Sequence, residues 1–242
     1  MAKACGSNDP AGFTPEGIGH LDSVVIFRDV DPWGSTTDLD VLAAHHIEVT
    51  ICTSALIGNP NLNLSAFADK VILCNQQPLA FYNVVVANRA WFEAYVAQGG
   101  CLLNGMANSS GDLPIGTMFP GGVTYGPDEG CNNIVTISDP AHEIFNTPNV
   151  ITEAELQGWG CSSTGDIGNG GATLLTNADE STGAAVLEHG FGMGMILSTT
   201  QPYQLPGANA NFAENLILYM PCIGVVSVEK NTWGSIKSYY RE

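Results

Sequence analysis

Apolar residues gather in short blocks separated by Gly, Pro, Asn and Asp. "SVVIFRD" (23–29) is a continuous apolar run ending in charge, the pattern of a strand buried on both faces. "HIEVTICT" (46–53) alternates and "DKVILCN" (69–75) is again continuous, so two further strands are expected, joined by a polar stretch with room for only a short helix. "YNVVVANRAWFEAYVAQGG" (82–100) changes period: Val85, Trp91, Phe92, Tyr95 and Val96 fall near helical spacing, and Gly99-Gly100 stops the helix. "CLLNG" (101–105) follows as a fourth strand, and a small-residue turn is expected at Asn104 to Ala107.

The second half repeats this grammar less regularly. Residues 112–130 are Gly/Pro-rich and irregular, "NNIVTIS" (132–138) is a fifth strand, and "DPAHEIFNTPN" (139–149) opens like a helix that Pro148 cuts short. "ELQGWGCSSTGDIGNGGATLLT" (155–176) reads as loop plus strand. "GAAVLEHGFGMGMILSTT" (183–200) reads as two strands around a Gly-rich turn, and "ANANFAENLILYM" (208–220) as a closing helix. Strand, connection and strand in series predict an α/β fold, a flavodoxin-like, doubly wound and mostly parallel sheet with helices on both faces. No repeat or low-complexity linker divides the 242 residues, so the expected organisation is an arm (1–22), one domain (23–221) and a tail (222–242).

Composition narrows the function more than the fold. Seven Lys+Arg stand against 24 Asp+Glu, a net charge of −17 that reflects missing cations in a chain only 13% charged. With no basic stripe, nucleic acid is not an expected partner, and no apolar run is long enough to span a membrane. The seven cysteines include no C-x-x-C pair, which excludes zinc-ribbon and thioredoxin-like readings. Cys52, Cys74 and Cys101 lie in or beside apolar strands and read as buried free thiols, whereas Cys131 and Cys161, in polar loops, are candidates for a disulfide. Ala2-Lys3-Ala4 has the small-x-small form of a signal-peptidase site, so an extracellular or periplasmic location is the expectation, with a cytoplasmic start as its alternative.

Three motifs in the second half, "NTPNVITEAELQGWG", "HGFGMGMILST" and "QLPGANANFAENLILYM", are similar to the glutamine-amidotransferase-like domain found beside N-acetylglucosaminyl deacetylase-like domains in some bacterial proteins. More broadly, the chain resembles the class I glutamine amidotransferase-like superfamily, including its ThuA-like branch, over about residues 23–221. The resemblance implies a functional crevice at the carboxyl ends of the strands and, after the Gly99-Gly100 turn and the "CLLNG" strand, an elbow bearing a cysteine nucleophile. This sequence places Gly105, Met106 and Ala107 there instead, and Cys101, at the start of the strand, is about 13 Å too early. Glu188 and His189 of "LEHGFG" resemble the family's remaining dyad only loosely. The tail "VVSVEKNTWGSIKSYYRE" resembles tails of exported proteins from some uncultured bacterial groups.

Several chemistries then compete. Ser109 or Ser110 with His189 and Glu188 would make an atypical esterase or amidase triad, although no G-x-S-x-G is present and serines beside Gly and Asp are ordinary turn residues. Asp29 and Asp31, with Asp38 and Asp40 after them, could hold Ca²⁺ or could simply be a solvated loop. His45, His46 and Glu48 lack zinc-ligand spacing. Trp33, Trp159 and Tyr125 in loops, together with Gly105, Met106 and Asn108 at the elbow and His142 in "DPAHEIF", are candidates for binding a saccharide or small polar ligand. The expected function is therefore a non-catalytic or carbohydrate-related binding module, with an atypical hydrolase or a self-assembling, homo-oligomeric subunit as alternatives.

Overall fold

The computed structural model describes residues 3–4, 21–66, 68–108, 113–126, 134–157, 165–168, 171–178, 183–207 and 209–220. Ser109, Ser110, Trp159, Cys131, Cys161, most of the arm and the whole tail lie outside the described residues.

The strands are β1 (Lys3–Ala4), β2 (Ser23–Phe27), β3 (Glu48–Cys52), β4 (Lys70–Leu73), β5 (Cys101–Gly105), β6 (Thr124–Tyr125), β7 (Val135–Ile137), β8 (Ile167–Gly168), β9 (Ala172–Asn177), β10 (Ala184–Phe191) and β11 (Gly194–Thr199). One sheet holds them in the order β1-β3-β2-β4-β5-β11-β10-β8-β6, with β9 also on β10 and β7 on β9. From β1 to β11 every neighbouring pair is parallel, and from β10 outwards every pair is antiparallel. The parallel half therefore aligns the carboxyl ends of β2, β3, β4, β5 and β11 along one edge.

Helices cover both faces, as the continuous apolar strands require. Val24, Ile26, Ile72, Leu103 and Leu197 pack with α1 (Thr37–Ala44) and α4 (Ala210–Leu218). Val25, Phe27, Val71, Leu102 and Ile196, the alternate positions, pack with α2 (Leu79–Ala87) and α3 (Arg89–Ala97). Phe27 meets Trp91 and Phe92 edge-on at 5.9 and 5.7 Å, fixing α3 on β2.

Four expectations change. The single helix expected over 82–100 is two, α2 and α3, because Asn88 donates its side-chain amide back to Val84 O (2.9 Å) and diverts the ladder. "DPAHEIF" forms one 3₁₀ turn, Glu143–Phe145, rather than a helix. Tyr125, expected in a loop, is on β6 and buried. The fourth concerns the thiols: Cys52 and Cys101 are disulfide-bonded, whereas Cys74 is free and buried. β2 and β4 separate β3 from β5, about 14 Å in all, so Cys52 and Cys101 are not each other's partners. Alkylating the denatured but unreduced protein should mark Cys74 alone of these three by peptide mapping. Labelling of Cys52 or Cys101 without reductant would contradict the bonding.

Buried Lys70, at the start of β4, donates to the carbonyls of Leu216, Ile217 and Tyr219 at 2.9, 2.8 and 2.7 Å. These are the orphan acceptors at the end of α4, so the ammonium replaces a C-cap and faces the negative end of the helix dipole. Among the described residues no helix is long and apolar enough to cross a membrane.

Candidate functional site

The carboxyl edge of the parallel strands carries a layer of amides. After β4 the chain reads Asn75-Gln76-Gln77-Pro78, and after β11 it reads Thr200-Gln201-Pro202-Tyr203-Gln204. Asn75 binds across to the second segment, its N–H donating to Gln204 Oε1 (2.9 Å) and its Nδ2 to Gln201 O (3.0 Å), while its Oδ1 accepts from Ala107 N–H (3.1 Å). Gln77 ties in the β2 loop: Oε1 accepts from Asp29 and Val30 N–H (2.7 and 3.1 Å), and Nε2 donates to Val30 O and Asn75 O (both 3.0 Å). Its backbone N–H reaches Tyr82 OH, and its carbonyl accepts from Asn108 Nδ2.

Below these amides sits a second, charged cluster. Arg28 pairs with Asp31 (3.1 Å) and lies 3.6 Å from fully buried Asp38, whose Oδ2 is 3.5 Å from the Cys74 thiol. Gln204 Nε2 donates to Cys74 Sγ (3.4 Å). Burial pushes the Asp38 carboxyl up, with Arg28 working against it, and burial followed by the Asp38 charge pushes the Cys74 thiol up. A thiol held in its protonated form is a poor nucleophile.

The expected elbow is absent where the sequence places it. Past Gly105 the chain still pairs on both sides: Met106 N–H donates to Thr199 O (2.8 Å) and Ala107 O accepts from Gln76 N–H (2.7 Å). Met106 is fully buried and packs in the core face that holds Tyr82 and Phe119. Gly105 sits so close to β4 that its α-carbon faces Leu73 O and Asn75.

Glu188 and His189 part company because successive strand residues face opposite sides of a sheet. Glu188 turns towards the end of α4, where its carboxylate accepts from Tyr219 OH (2.6 Å) and lies 3.2 Å from His142 Nε2. His142 Nδ1 accepts from Ile144 N–H (3.3 Å) as the cap of its 3₁₀ turn, so His142 rather than His189 is the partner of Glu188. His189 lies under the Pro120–Gly122 turn against Gly121, with neither ring nitrogen hydrogen-bonded. It is level with Leu102, three residues and about 10 Å short of Gly105, and two strands to the side.

Burial lowers the pKa of His189, partly offset by the nearby Gly121 backbone. Between its folded value and the ordinary 6.5 the unfolded chain holds the extra proton, so stability falls as pH drops through that window. The difference in unfolding free energy between wild type and His189→Leu should stay constant above that range, move against wild type as pH falls through it, and level off below it. A pH-independent difference would show that the imidazole is solvated.

The acidic loop is spent on structure. Asp29 accepts from Ser54 N–H and Oγ (2.8 and 2.7 Å), Asp31 pairs with Arg28, and Asp40 accepts from Thr36 Oγ1 (2.9 Å). Among the described residues no group of three or more His, Cys, Asp or Glu side chains is placed to hold a metal ion. Trp33 is half-buried in the 3₁₀ turn after β2, with a left-handed φ of 49°. Sequence reasoning missed Gln77, Arg28, Tyr203, Gln204 and Tyr219. The available signal was two amide-and-proline runs, each directly following an apolar strand.

No protein-family model and no curated protein sequence matches the chain. Among solved structures, a glutamine amidotransferase from Thermotoga maritima superposes with a TM-score of 0.50 at 9% identity, over 82% of this chain and 99% of that one. The fold resembles that of a glutamine amidotransferase. A GMP synthase-type protein from Thermoplasma acidophilum (TM-score 0.47, 10% identity) covers 92% of this chain and 99% of its own. A cold-adapted β-galactosidase from Rahnella sp. R3 (0.47, 16%) aligns over 81% of this chain, which spans 31% of the enzyme's length.

Proposed function

We propose that this chain is a binding module of amidotransferase-like fold that takes a saccharide at the carboxyl-end crevice and has no glutaminase activity. The observation that carries the reading is Met106. The resembled enzymes place their cysteine nucleophile after this strand, whereas here a fully buried methionine continues the pairing, and the free thiol among the described residues, Cys74, is sealed behind Asp38 and Gln204. The saccharide is supported by the half-buried Trp33 on the loop after β2, the loop that Gln77 ties to the amide-lined edge through Asp29 and Val30, since a pyranose presents an apolar face and polar rims. Disulfide-bonded Cys52 and Cys101 support an exported setting. The three second-half motifs support a likeness to the glutamine-amidotransferase-like domain found beside N-acetylglucosaminyl deacetylase-like domains.

The test is paired. Ammonia release from glutamine should stay at background, and calorimetric titration with glucose, galactose, mannose and N-acetylglucosamine should give saturable heat with at least one. Glutamine hydrolysis that iodoacetamide abolishes, or four flat titrations, would overturn the proposal. A second reading, an atypical hydrolase, is favoured by one observation: Glu188 and His142 are already hydrogen-bonded at 3.2 Å, an oriented acid-base pair. It requires a hydroxyl nucleophile such as Ser109 or Ser110, and labelling of either by a fluorophosphonate probe would support it.

A further inference from the structure

We propose that Arg28, Asp38 and Tyr203 form a subsite that recognises a pair of saccharide hydroxyls at the carboxyl ends of β2, β4 and β11. This rests on the saccharide reading above and adds which groups select the ligand.

The first observation is a set of buried donors without acceptors. Tyr203 is only 3% exposed and its hydroxyl has no hydrogen-bond partner. Arg28 Nη1 is buried and also without a hydrogen-bond partner, at 3.6 Å from Asp38 Oδ1, and Gln201 Nε2 is in the same state. Buried polar groups in native proteins are nearly always paired, and the neighbouring amides of Asn75, Gln77 and Gln204 are fully engaged. Among the described residues the unpartnered buried donors Arg28 Nη1, Gln201 Nε2 and Tyr203 OH fall on the loops after β2 and β11, while the remaining unpartnered atoms belong to Asn104, Asn177 and His189.

Secondly, these groups surround the same place. Gln204, the residue after Tyr203, donates to Cys74 Sγ (3.4 Å), while Arg28 and Cys74 approach Asp38 from its two carboxylate oxygens. Of the three non-glycine residues with left-handed φ among the described residues, two flank this place: Trp33 (49°) follows Arg28, and Gln76 (51°) follows Cys74. The third, His46, ends α1, where that conformation is ordinary. A bulky side chain in this region is strained, and strain of this kind concentrates at ligand sites.

The chemistry selects a hydroxyl. Arg28 and Tyr203 supply donors and Asp38 an acceptor, and a hydroxyl both accepts and donates. A ligand carboxylate would face Asp31 and Asp38, and a ligand ammonium would face Arg28, so a neutral polyol fits best. One hydroxyl would accept from Tyr203 and its neighbour from Arg28, with Asp38 taking a proton bond from either. The Trp33 indole would cover the apolar face of the ring.

Tyr203→Phe removes the oxygen and keeps the ring. Deleting a buried, unpaired hydroxyl should leave the thermal midpoint equal or higher, while affinity for the saccharide bound by wild type falls about fivefold to tenfold. Tyr95→Phe is the control, because buried Tyr95 OH donates to Asp69 O (2.9 Å) before the start of β4, at the opposite edge of the sheet: its midpoint should fall and its affinity stay unchanged. Monodeoxy analogues of the bound sugar should include one that weakens binding to wild type by about the same factor but binds Tyr203→Phe no worse than the parent sugar does. If no probe sugar binds wild type, the saccharide reading itself fails and the subsite with it. If wild type binds but Tyr203→Phe binds equally well, or melts lower, the subsite is wrong and the saccharide reading stands.

Discussion

Gly105→Ala is expected to cost about 3 kcal/mol of folding stability, the upper end of the usual overpacking range. A Cβ at this position would lie 2.5 Å from Leu73 O, 2.6 Å from Asn75 Oδ1 and 2.9 Å from Asn75 N. Two of these atoms are backbone of the adjacent segment and cannot rotate away. β5 would have to move off β4, although the Leu73–Asn104 register holds the two together. Urea unfolding should show a large fall in midpoint with an unchanged slope. Gly190→Ala is the matched control: it also sits in a strand, nothing lies within 4 Å of its Cβ, and its effect should stay within about 0.5 kcal/mol. If Gly105→Ala behaves like Gly190→Ala, the close approach that replaces the elbow is not real.

The next largest effect is expected at Gln77. Its buried amide accepts from two N–H groups of the β2 loop and donates to carbonyls on both the β2 and β4 loops. Gln77→Ala leaves Asp29 N–H, Val30 N–H and two carbonyls without their protein partner in a part-buried network, a loss of about 1–3 kcal/mol. Gln77→Glu separates size from hydrogen bonding: it keeps the acceptor for Asp29 and Val30 but turns the donor end into a second acceptor facing two carbonyls. Its stability should recover as pH falls and the new carboxyl is protonated, because the protonated form can again donate. A Gln77→Ala protein as stable as wild type would show that the loops are held by other contacts.

The parallel half of the fold was legible because its strands are continuous apolar runs that only a sheet covered on both faces can use. Residues 23–27, 70–73 and 101–105 all emerge as central strands. The β10–β11 hairpin was legible from Gly192 between two apolar runs. Local side-chain competition was less visible: the amide of Asn88 divides a helix that the apolar spacing carries straight through. Disulfide bonding was invisible, so Cys52 and Cys101 read as buried thiols from their apolar neighbours alone. At the site, Glu188 and His189 look like a dyad because they are adjacent, yet strand alternation separates them, and His142 reaches Glu188 from 46 residues away. Asp38 was visible only as one of four carboxylates. Its difference from Asp29, Asp31 and Asp40 is burial, which depends on the later segments that cover it.

Backbone amide NMR during titration with the sugar that gives heat is the most direct measurement of where this protein binds. Saturable shifts should concentrate at residues 28–38, 75–77 and 201–204, the loops at the carboxyl ends of β2, β4 and β11. Shifts concentrated instead at His142, Glu188 and Tyr219, with the crevice loops unmoved, would contradict the carboxyl-end crevice as the binding site.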